Sequence, residues 1–237
     1  MVLFQDLRNQ ILREGADLCG IAHIEPSHSA ILELGSKSRT HLLRAVSIGI
    51  RLPDSVIDQL HRRSSTRIAV MYRHIYDETN AELDRIASIA ETILEAAGTK
   101  ALAVPASETV DSKRMYGAFS HKMAAHLAGL GWIGKSCLLI TPGAGPRVRW
   151  ATVLTDAPLK ATGSATEQGC GECKQCVDIC PAEAFTGRPY RKGEHRDLRF
   201  DTGRCSEYTR GKEKELDCPV LCGLCVYICP YGKTDLR

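Results

Sequence analysis

The chain has 237 residues, of which 43% are hydrophobic and 25% are charged, and its formal net charge is +3. This length accommodates one large domain or two modest ones. The small net charge does not by itself indicate a nucleic-acid partner. No stretch reaches the ~20 apolar residues of a transmembrane helix. The N-terminal residues resemble neither a secretory nor a twin-arginine leader, so we expect a cytoplasmic protein with no membrane partner.

Apolar periodicity predicts the elements of the first part of the chain. The predicted helices are 4–14, 78–97 and 119–130, and the predicted strands are 18–24, 45–50, 100–104, 138–141 and 147–155. The last two strands are expected to pair across the turn at 142–146. The glycines at 129, 131 and 134 follow a helix and precede a strand, which is the reverse of a dinucleotide fingerprint. The order therefore predicts a mixed α+β fold without Rossmann alternation.

A change of composition divides the chain into two predicted domains. Residues 161–169 are small and polar and are interpreted as a linker. This boundary gives an N-terminal α/β domain at 1–160 and a second domain at 161–237. Nine of the eleven cysteines lie in 170–229, so metal or redox chemistry is expected in the second domain.

The cysteines form two related runs. The first reads Cys170-x2-Cys173-x2-Cys176-x3-Cys180-Pro181, and the second reads Cys222-x2-Cys225-x3-Cys229-Pro230. This spacing is the bacterial-ferredoxin pattern for cubane 4Fe–4S clusters. Zinc is disfavoured because three thiolates lie close together while the fourth is turned away, and a disulfide framework is disfavoured without a secretory leader. The repeat predicts a ferredoxin-like domain with two clusters and electron-transfer chemistry.

In two-cluster ferredoxins the last cysteine of each run binds the cluster of the other run. The first ligand set is therefore predicted to be Cys170, Cys173, Cys176 and Cys229. The second set contains Cys180, Cys222 and Cys225 and needs one more ligand, because position 219 is a proline. Spacing leaves both Cys205 and Cys218 open as the eighth ligand.

Several segments resemble the epoxyqueuosine reductases, cobalamin-dependent enzymes that complete queuosine in tRNA, and the related core of reductive dehalogenases. The resemblance is carried by Ala-Gly-Leu-Gly-Trp-Ile-Gly-Lys-Ser at 128–136, Leu-Leu-Ile-Thr-Pro at 138–142, Gly-Pro-Arg-Val at 145–148 and Leu-Thr-Asp-Ala-Pro-Leu at 154–159. It continues through the cysteine runs and Arg204-Cys205-Ser-Glu-Tyr208. The resemblance implies that Cys205, and not Cys218, completes the second cluster.

The family implies a base-off cobalamin between the two domains, reduced through both clusters by a ferredoxin- or flavodoxin-type donor. It also implies an aspartate acid, which corresponds here to Asp111 in Val110-Asp111-Ser112, although Lys-Arg follows where the family has Ala-Pro. Gly131, Gly134, Lys135 and Ser136 are interpreted as contacts to the planar cofactor, with simple packing as the alternative.

The implied substrate is small or nucleoside-like, with an epoxide-like bond. The chain stops at Arg237, without the C-terminal helical-repeat domain that holds tRNA in the family, so tRNA is a weak candidate partner. Two other functions compete with the reductase. One is a ferredoxin-type electron-transfer protein that has no corrinoid, and the other is a redox sensor that signals by losing its clusters.

Overall fold

A computed structural model describes residues 2–24, 42–62, 64–109, 111, 115 and 117–233, with the backbone alone given for residues 2 and 3. The helices are α1 (Val2–Arg13), α2 (Asp54–Ile57), α3 (Thr66–Ala96), α4 (His121–Leu127), α5 (Gln175–Asp178), α6 (Thr202–Leu216) and α7 (Leu224–Tyr227). The strands are β1 (Leu18–His23), β2 (Arg44–Arg51), β3 (Ala101–Val104), β4 (Trp132–Ile133), β5 (Leu139–Ile140) and β6 (Val148–Thr155). Short 3-10 helices cover Arg196–Leu198 and Pro230–Gly232. The predicted α+β class is confirmed.

The chain forms two compact units that are both discontinuous in sequence. The first unit contains Met1–Ile50, Asn80–Trp132 and Arg149–Glu167, and the second contains Arg51–Thr79, Ile133–Val148 and Gln168–Arg237. This division differs from the continuous domains expected at 1–160 and 161–237. Two segments from the first 160 residues pack with the cysteine-rich region, because it buries little apolar surface of its own.

The first unit is built on a four-stranded sheet in the order β1-β2-β6-β3. β1 is antiparallel to β2 and β3 is antiparallel to β6, with Ile21 opposite Val46 and Leu102 opposite Leu154. Successive residues on a strand point to opposite faces, and both faces are buried. One face packs with α1 and the later part of α3, through Leu7, Ile11, Ile21, Val46, Leu83, Ile86 and Val153. The other packs with α4, through Ala22, Ala45, Phe119, Ala124 and Leu154.

The second unit has a smaller apolar core. It joins α2 and the early part of α3 to α7, through Leu52, Val56, Ile57, Leu60, Ile68, Tyr72 and Val226. This core explains why α3 begins at Thr66 and not near residue 78. Ile68 and Tyr72 continue the helical apolar spacing, but they pack into a different core from Leu83 and Ile86.

The predicted hairpin between residues 138–141 and 147–155 is wrong. The backbone N–H of Thr141 donates to Gly145 O, and the N–H of Gly145 donates to Thr141 O. Both nitrogen-to-oxygen distances are 2.9 Å. Beyond this single bridge, β5 pairs with β4, while β6 lies between β2 and β3. The reason is burial, because seven of the eight residues of β6 are buried and a strand of this kind needs neighbours on both sides.

The predicted linker at 161–169 is likewise not a free connection. Thr162 donates its N–H to Ile21 O at 3.0 Å, and its Oγ1 accepts the Ile21 N–H at 3.0 Å. The same hydroxyl donates to Ala128 O at 3.0 Å. Residues around 162 therefore satisfy the backbone of β1, an edge strand whose polar groups would otherwise be open to water.

The structure contains no helix, within its described ranges, that is long and apolar enough to cross a bilayer.

We expect Gly145→Ala to destabilise the second unit by at least about 1 kcal/mol, because Gly145 has φ +54 and a Cβ there would collide with the backbone of Tyr231 and Gly232. The matched control is Gly211→Ala in α6, where nothing lies within 4 Å of an added Cβ. That change should stabilise the helix by about 0.5–1 kcal/mol. Denaturant unfolding followed by circular dichroism measures both, and equal stability of the Gly145→Ala protein and its parent would contradict the packing described here.

Candidate metal centre

The two cysteine runs fold in the same way. α5 begins two residues after Cys173 and α7 begins two residues after Cys222, so the sequence repeat is also a structural repeat. Each short helix carries one cysteine, Cys176 or Cys225. Each run then reaches the cysteine that precedes its proline, Cys180 or Cys229, directly after the helical turn. This local geometry holds thiols of one run close together and turns the last thiol away.

Four thiols form what we call the first group: Cys170, Cys173, Cys176 and Cys229. Burial raises the pKa of Cys176 to about 12, and the neighbouring thiols of Cys170, Cys229 and Cys173 add to the shift. Burial also raises the pKa of Cys229 to about 11, with further contributions from Cys170 and Cys173. These effects indicate that Cys170 and Cys173 lie near both Cys176 and Cys229. The grouping is compatible with the predicted ligand set, and the binding of a cluster by these four thiols stays a prediction.

Four other thiols form the second group: Cys180, Cys205, Cys222 and Cys225. Burial raises the pKa of Cys225 strongly, and the thiols of Cys222 and Cys205 raise it further. Burial raises the pKa of Cys205 to about 11, with added effects of Cys222 and Cys180. Among the described residues, Cys218 is not one of the thiols that raise the pKa of Cys205 or of Cys225.

The second group depends on α6 for its fourth thiol. Asp201 caps the N-terminus of this helix, where its side chain accepts the Arg204 N–H at 3.0 Å. The helix therefore begins at Thr202, which places Cys205 in its first turn. Side-chain capping of this kind satisfies an otherwise open backbone donor. The fourth thiol of the group is therefore carried on a helix outside both cysteine runs.

The two groups are close to each other. The pKa of Cys225, in the second group, is raised by Cys176 of the first group as well as by thiols of its own group. The helices that carry these two cysteines, α5 and α7, also contact each other. The two groups are therefore neighbours in the second unit.

The donor set fits cubane clusters. Thiols with raised pKa values are protonated at neutral pH, and binding iron as thiolates releases those protons and supplies the positive charge that the group lacks. In a cubane each thiolate binds a different iron, so the four sulfurs need not converge on one point. Within the described residues, no three His, Cys, Asp or Glu side chains converge closely enough to hold a single metal ion.

The first group lines a small pocket. Its lining residues are Lys135, Ser136, Ile140, Cys170, Cys173, Gln175, Cys176, Cys229, Pro230 and Tyr231. Tyr231 donates its hydroxyl to Gly169 O at 2.5 Å, which ties the residue before Cys170 to the segment after Cys229. This bond could not be predicted from sequence patterns, because it joins two positions far apart in the chain.

The residues interpreted as cobalamin contacts are buried or in contact with the protein itself. Lys135 is 7% exposed, and its Nζ donates to Gly171 O at 2.6 Å and Cys173 O at 3.1 Å. A Cβ on Gly134 would lie 2.8 Å from Ile140. Ser136 is buried, and Gly131 O is engaged by His126 Nδ1 at 2.9 Å. These contacts are compatible with simple packing, and contact with a planar cofactor stays a prediction.

The predicted acid Asp111 is half-buried and takes part in a single β-bridge. Positions 110, 112–114 and 116, which surround it, lie outside the described residues, so its role stays a prediction. A histidine of the first unit, His121, lies ten residues after Asp111 in the sequence. Its Nε2 donates to Pro105 O at 3.0 Å, its Nδ1 accepts from Thr152 Oγ1 at 2.9 Å, and burial lowers its pKa to about 4. A neutral imidazole with both nitrogens engaged is a structural residue of the first unit.

We expect Cys205→Ala to remove one of two clusters and leave about four irons per chain, because it deletes a thiol of the second group. Cys218→Ala is the matched control, and it should keep the iron content of the parent. Iron and sulfide analysis of anaerobically reconstituted proteins makes the comparison. If Cys218→Ala loses iron while Cys205→Ala keeps it, the assignment of the second group is wrong.

Comparisons with known proteins agree with this geometry. Residues 169–232 match the 4Fe-4S double cluster binding domain, a range that contains all eight cysteines of the two groups. The epoxyqueuosine reductase of Pseudomonas aeruginosa is 35% identical over 118 residues, which are 47% of this chain and 31% of that protein. The matched stretch thus spans about a third of that curated relative.

Two solved structures share the fold. One is a reductive dehalogenase whose structure suggests a mechanism for B12-dependent dehalogenation, with a TM-score of 0.70 and 20% identity over 97% of this chain and 31% of that one. The other is epoxyqueuosine reductase from Bacillus subtilis with its catalytic aspartate loop swung out of the active site, with a TM-score of 0.61 and 17% identity over 98% of this chain and 66% of that one. About half of the chain is thus similar in sequence to an epoxyqueuosine reductase, residues 169–232 match a 4Fe-4S double cluster binding domain, and the fold is shared with a reductive dehalogenase.

Proposed function

We propose that the chain is an iron–sulfur oxidoreductase of the epoxyqueuosine reductase type. Its first and second cysteine groups would each hold a 4Fe–4S cluster and deliver electrons for the reductive cleavage of an epoxide-like bond. The observation that carries the proposal is the arrangement of eight thiols in two adjacent groups of four. The groups are near enough that Cys176 of the first raises the pKa of Cys225 in the second. A cytoplasmic location, where thiols stay reduced, suits this chemistry.

The number of electrons agrees with two clusters. Removal of an epoxide oxygen as water, to leave an alkene, consumes two electrons and two protons. Each 4Fe–4S cluster passes one electron at a time, so two neighbouring clusters can hold both electrons before the bond breaks. A ferredoxin- or flavodoxin-type protein is the proposed donor, because low-potential clusters need a low-potential reductant.

A base-off corrinoid is part of the proposal, and it would supply a reducible cobalt to receive electrons from the clusters. Its support is the shared fold with a dehalogenase that uses B12. Gly131, Gly134, Lys135 and Ser136 stay the predicted contacts to it, with packing as the alternative for the buried Lys135 and Ser136. The proposed substrate is small or nucleoside-like.

A second candidate is a ferredoxin-type carrier that serves a redox partner and binds no corrinoid. The specific observation in its favour is that Lys135, which was expected to contact a planar cofactor, is bound to the backbone of the first cysteine loop. The carrier would need both clusters and their adjacency, but neither an acid nor a cobalt ligand site.

Titration of the reconstituted protein with cob(II)alamin separates the two candidates. Binding in the base-off form changes the EPR spectrum of cobalt, and the reductase predicts this change at one equivalent per chain. Full loading with iron, together with a cobalamin spectrum identical to that of the free cofactor, would support the carrier and contradict the reductase.

For the reductase we propose Asp111 as the acid that protonates the leaving oxygen. Asp111 is half-buried, so its carboxyl is partly accessible to a substrate. The related enzyme from Bacillus subtilis also has a catalytic aspartate on a loop.

We expect Asp111→Asn to lower turnover of epoxyqueuosine by at least about 10²-fold, the typical contribution of a general acid. Iron content and cluster EPR should stay unchanged, since Asp111 is not in either cysteine group. Glu108→Gln is the matched control, because Glu108 is an exposed carboxylate in the same segment. Equal turnover by the Asp111→Asn protein and its parent would remove Asp111 from the mechanism.

A further inference from the structure

A buried positive charge lies beside the first cysteine group. Lys135 is 7% exposed and lines the same pocket as Cys170, Cys173, Cys176 and Cys229. Its Nζ donates to Gly171 O at 2.6 Å and to Cys173 O at 3.1 Å. Both carbonyls belong to the loop that carries thiols of this group. The ammonium therefore faces the place where the proposed cluster is bound.

No carboxylate within the described parts of the chain forms an ion pair with Lys135. Burying an ammonium without an anionic partner is costly, even when carbonyl oxygens accept its hydrogen bonds. A 4Fe–4S cluster with four thiolates is an anion, because the thiolates outweigh the positive charge of the core. Such a cluster would supply the missing counter-charge for Lys135.

From this arrangement we infer that Lys135 tunes the reduction potential of the first cluster, an inference that rests on the proposed binding of two clusters. Reduction adds a negative charge to an already anionic cluster, and a nearby fixed cation stabilises the reduced form more than the oxidised form. Net charge and hydrogen bonding around a cluster are known to set its potential. The first cluster is thereby the more easily reduced of the two.

The cations near the second group are placed differently. Arg62 and Lys212 line a separate pocket that includes Cys222. Arg62 is exposed, and Lys212 Nζ pairs with Glu215 at 2.6 Å. Solvent and the paired carboxylate weaken the effect of these charges on the second cluster. Electrons that enter at the second cluster would therefore pass to the first cluster, which has the higher reduction potential.

The test is an EPR-monitored redox titration of the full chain in three variants. Lys135→Gln removes the charge but keeps a donor for the loop carbonyls, Lys135→Arg keeps the charge, and Lys174→Gln removes an exposed charge next to Cys173. The same Lys135 changes in a Cys205→Ala background, which retains the first cluster alone, assign the signal.

We expect Lys135→Gln to shift the midpoint potential of the first cluster to more negative values and to leave that of the second cluster in place. Lys135→Arg should stay close to the parent, and Lys174→Gln should shift the first potential less than Lys135→Gln does. Equal potentials in the Lys135→Gln protein and the parent would overturn the inference. Loss of the first cluster from both Lys135 variants would overturn it too, since Lys135 would then only hold the cysteine loop in place.

These outcomes are distinct from a failure of the proposed function. Absence of bound iron in the parent protein would refute cluster binding itself. Two intact clusters whose midpoint potentials are the same in the Lys135 variants and the parent would refute only the role of Lys135.

Discussion

Each cysteine group takes one thiol from the other cysteine run, and the fold of the second unit depends on this exchange. The thiol of Cys229 raises the pKa of Cys176 in the first run, and the thiol of Cys180 raises the pKa values of Cys205 and Cys225. Neither group can form unless both runs are present and held in register. Because burial, and to a smaller extent the neighbouring thiols, raises the pKa values of Cys176 and Cys229, metal binding and folding of this unit are expected to be coupled.

The exchange also explains why the second unit is assembled from separate parts of the chain. The two runs bury few apolar side chains, so residues from α2 and the early part of α3 form a core around Val226 and Cys225. The segment Ile133–Val148 supplies the other support, with Lys135 fixed to the loop of the first group and Gly145 packed against the segment after Cys229. A cluster domain that was only the cysteine-rich tail would lack both supports.

What could be predicted from the sequence was local. The double cluster domain, the buried strands around Ile21 and Val46, and the apolar stripe from Leu83 onward each depend on neighbouring residues, and each agrees with the structure or the family match. The predicted pairing of β6 was wrong because its neighbours β2 and β3 come from far along the chain. The hydrogen bonds of Lys135 could not be predicted, because a residue type does not reveal that carbonyls of the cysteine loop are its acceptors.

The most direct test of the central claim is to reduce the reconstituted protein fully, count its iron and record its EPR spectrum. Two clusters held side by side predict about eight irons per chain. They also predict a spectrum broadened by magnetic interaction between two reduced centres, which simplifies to a single-cluster signal at partial reduction. Four irons, or two signals that add without interaction, would contradict two adjacent four-thiol sites.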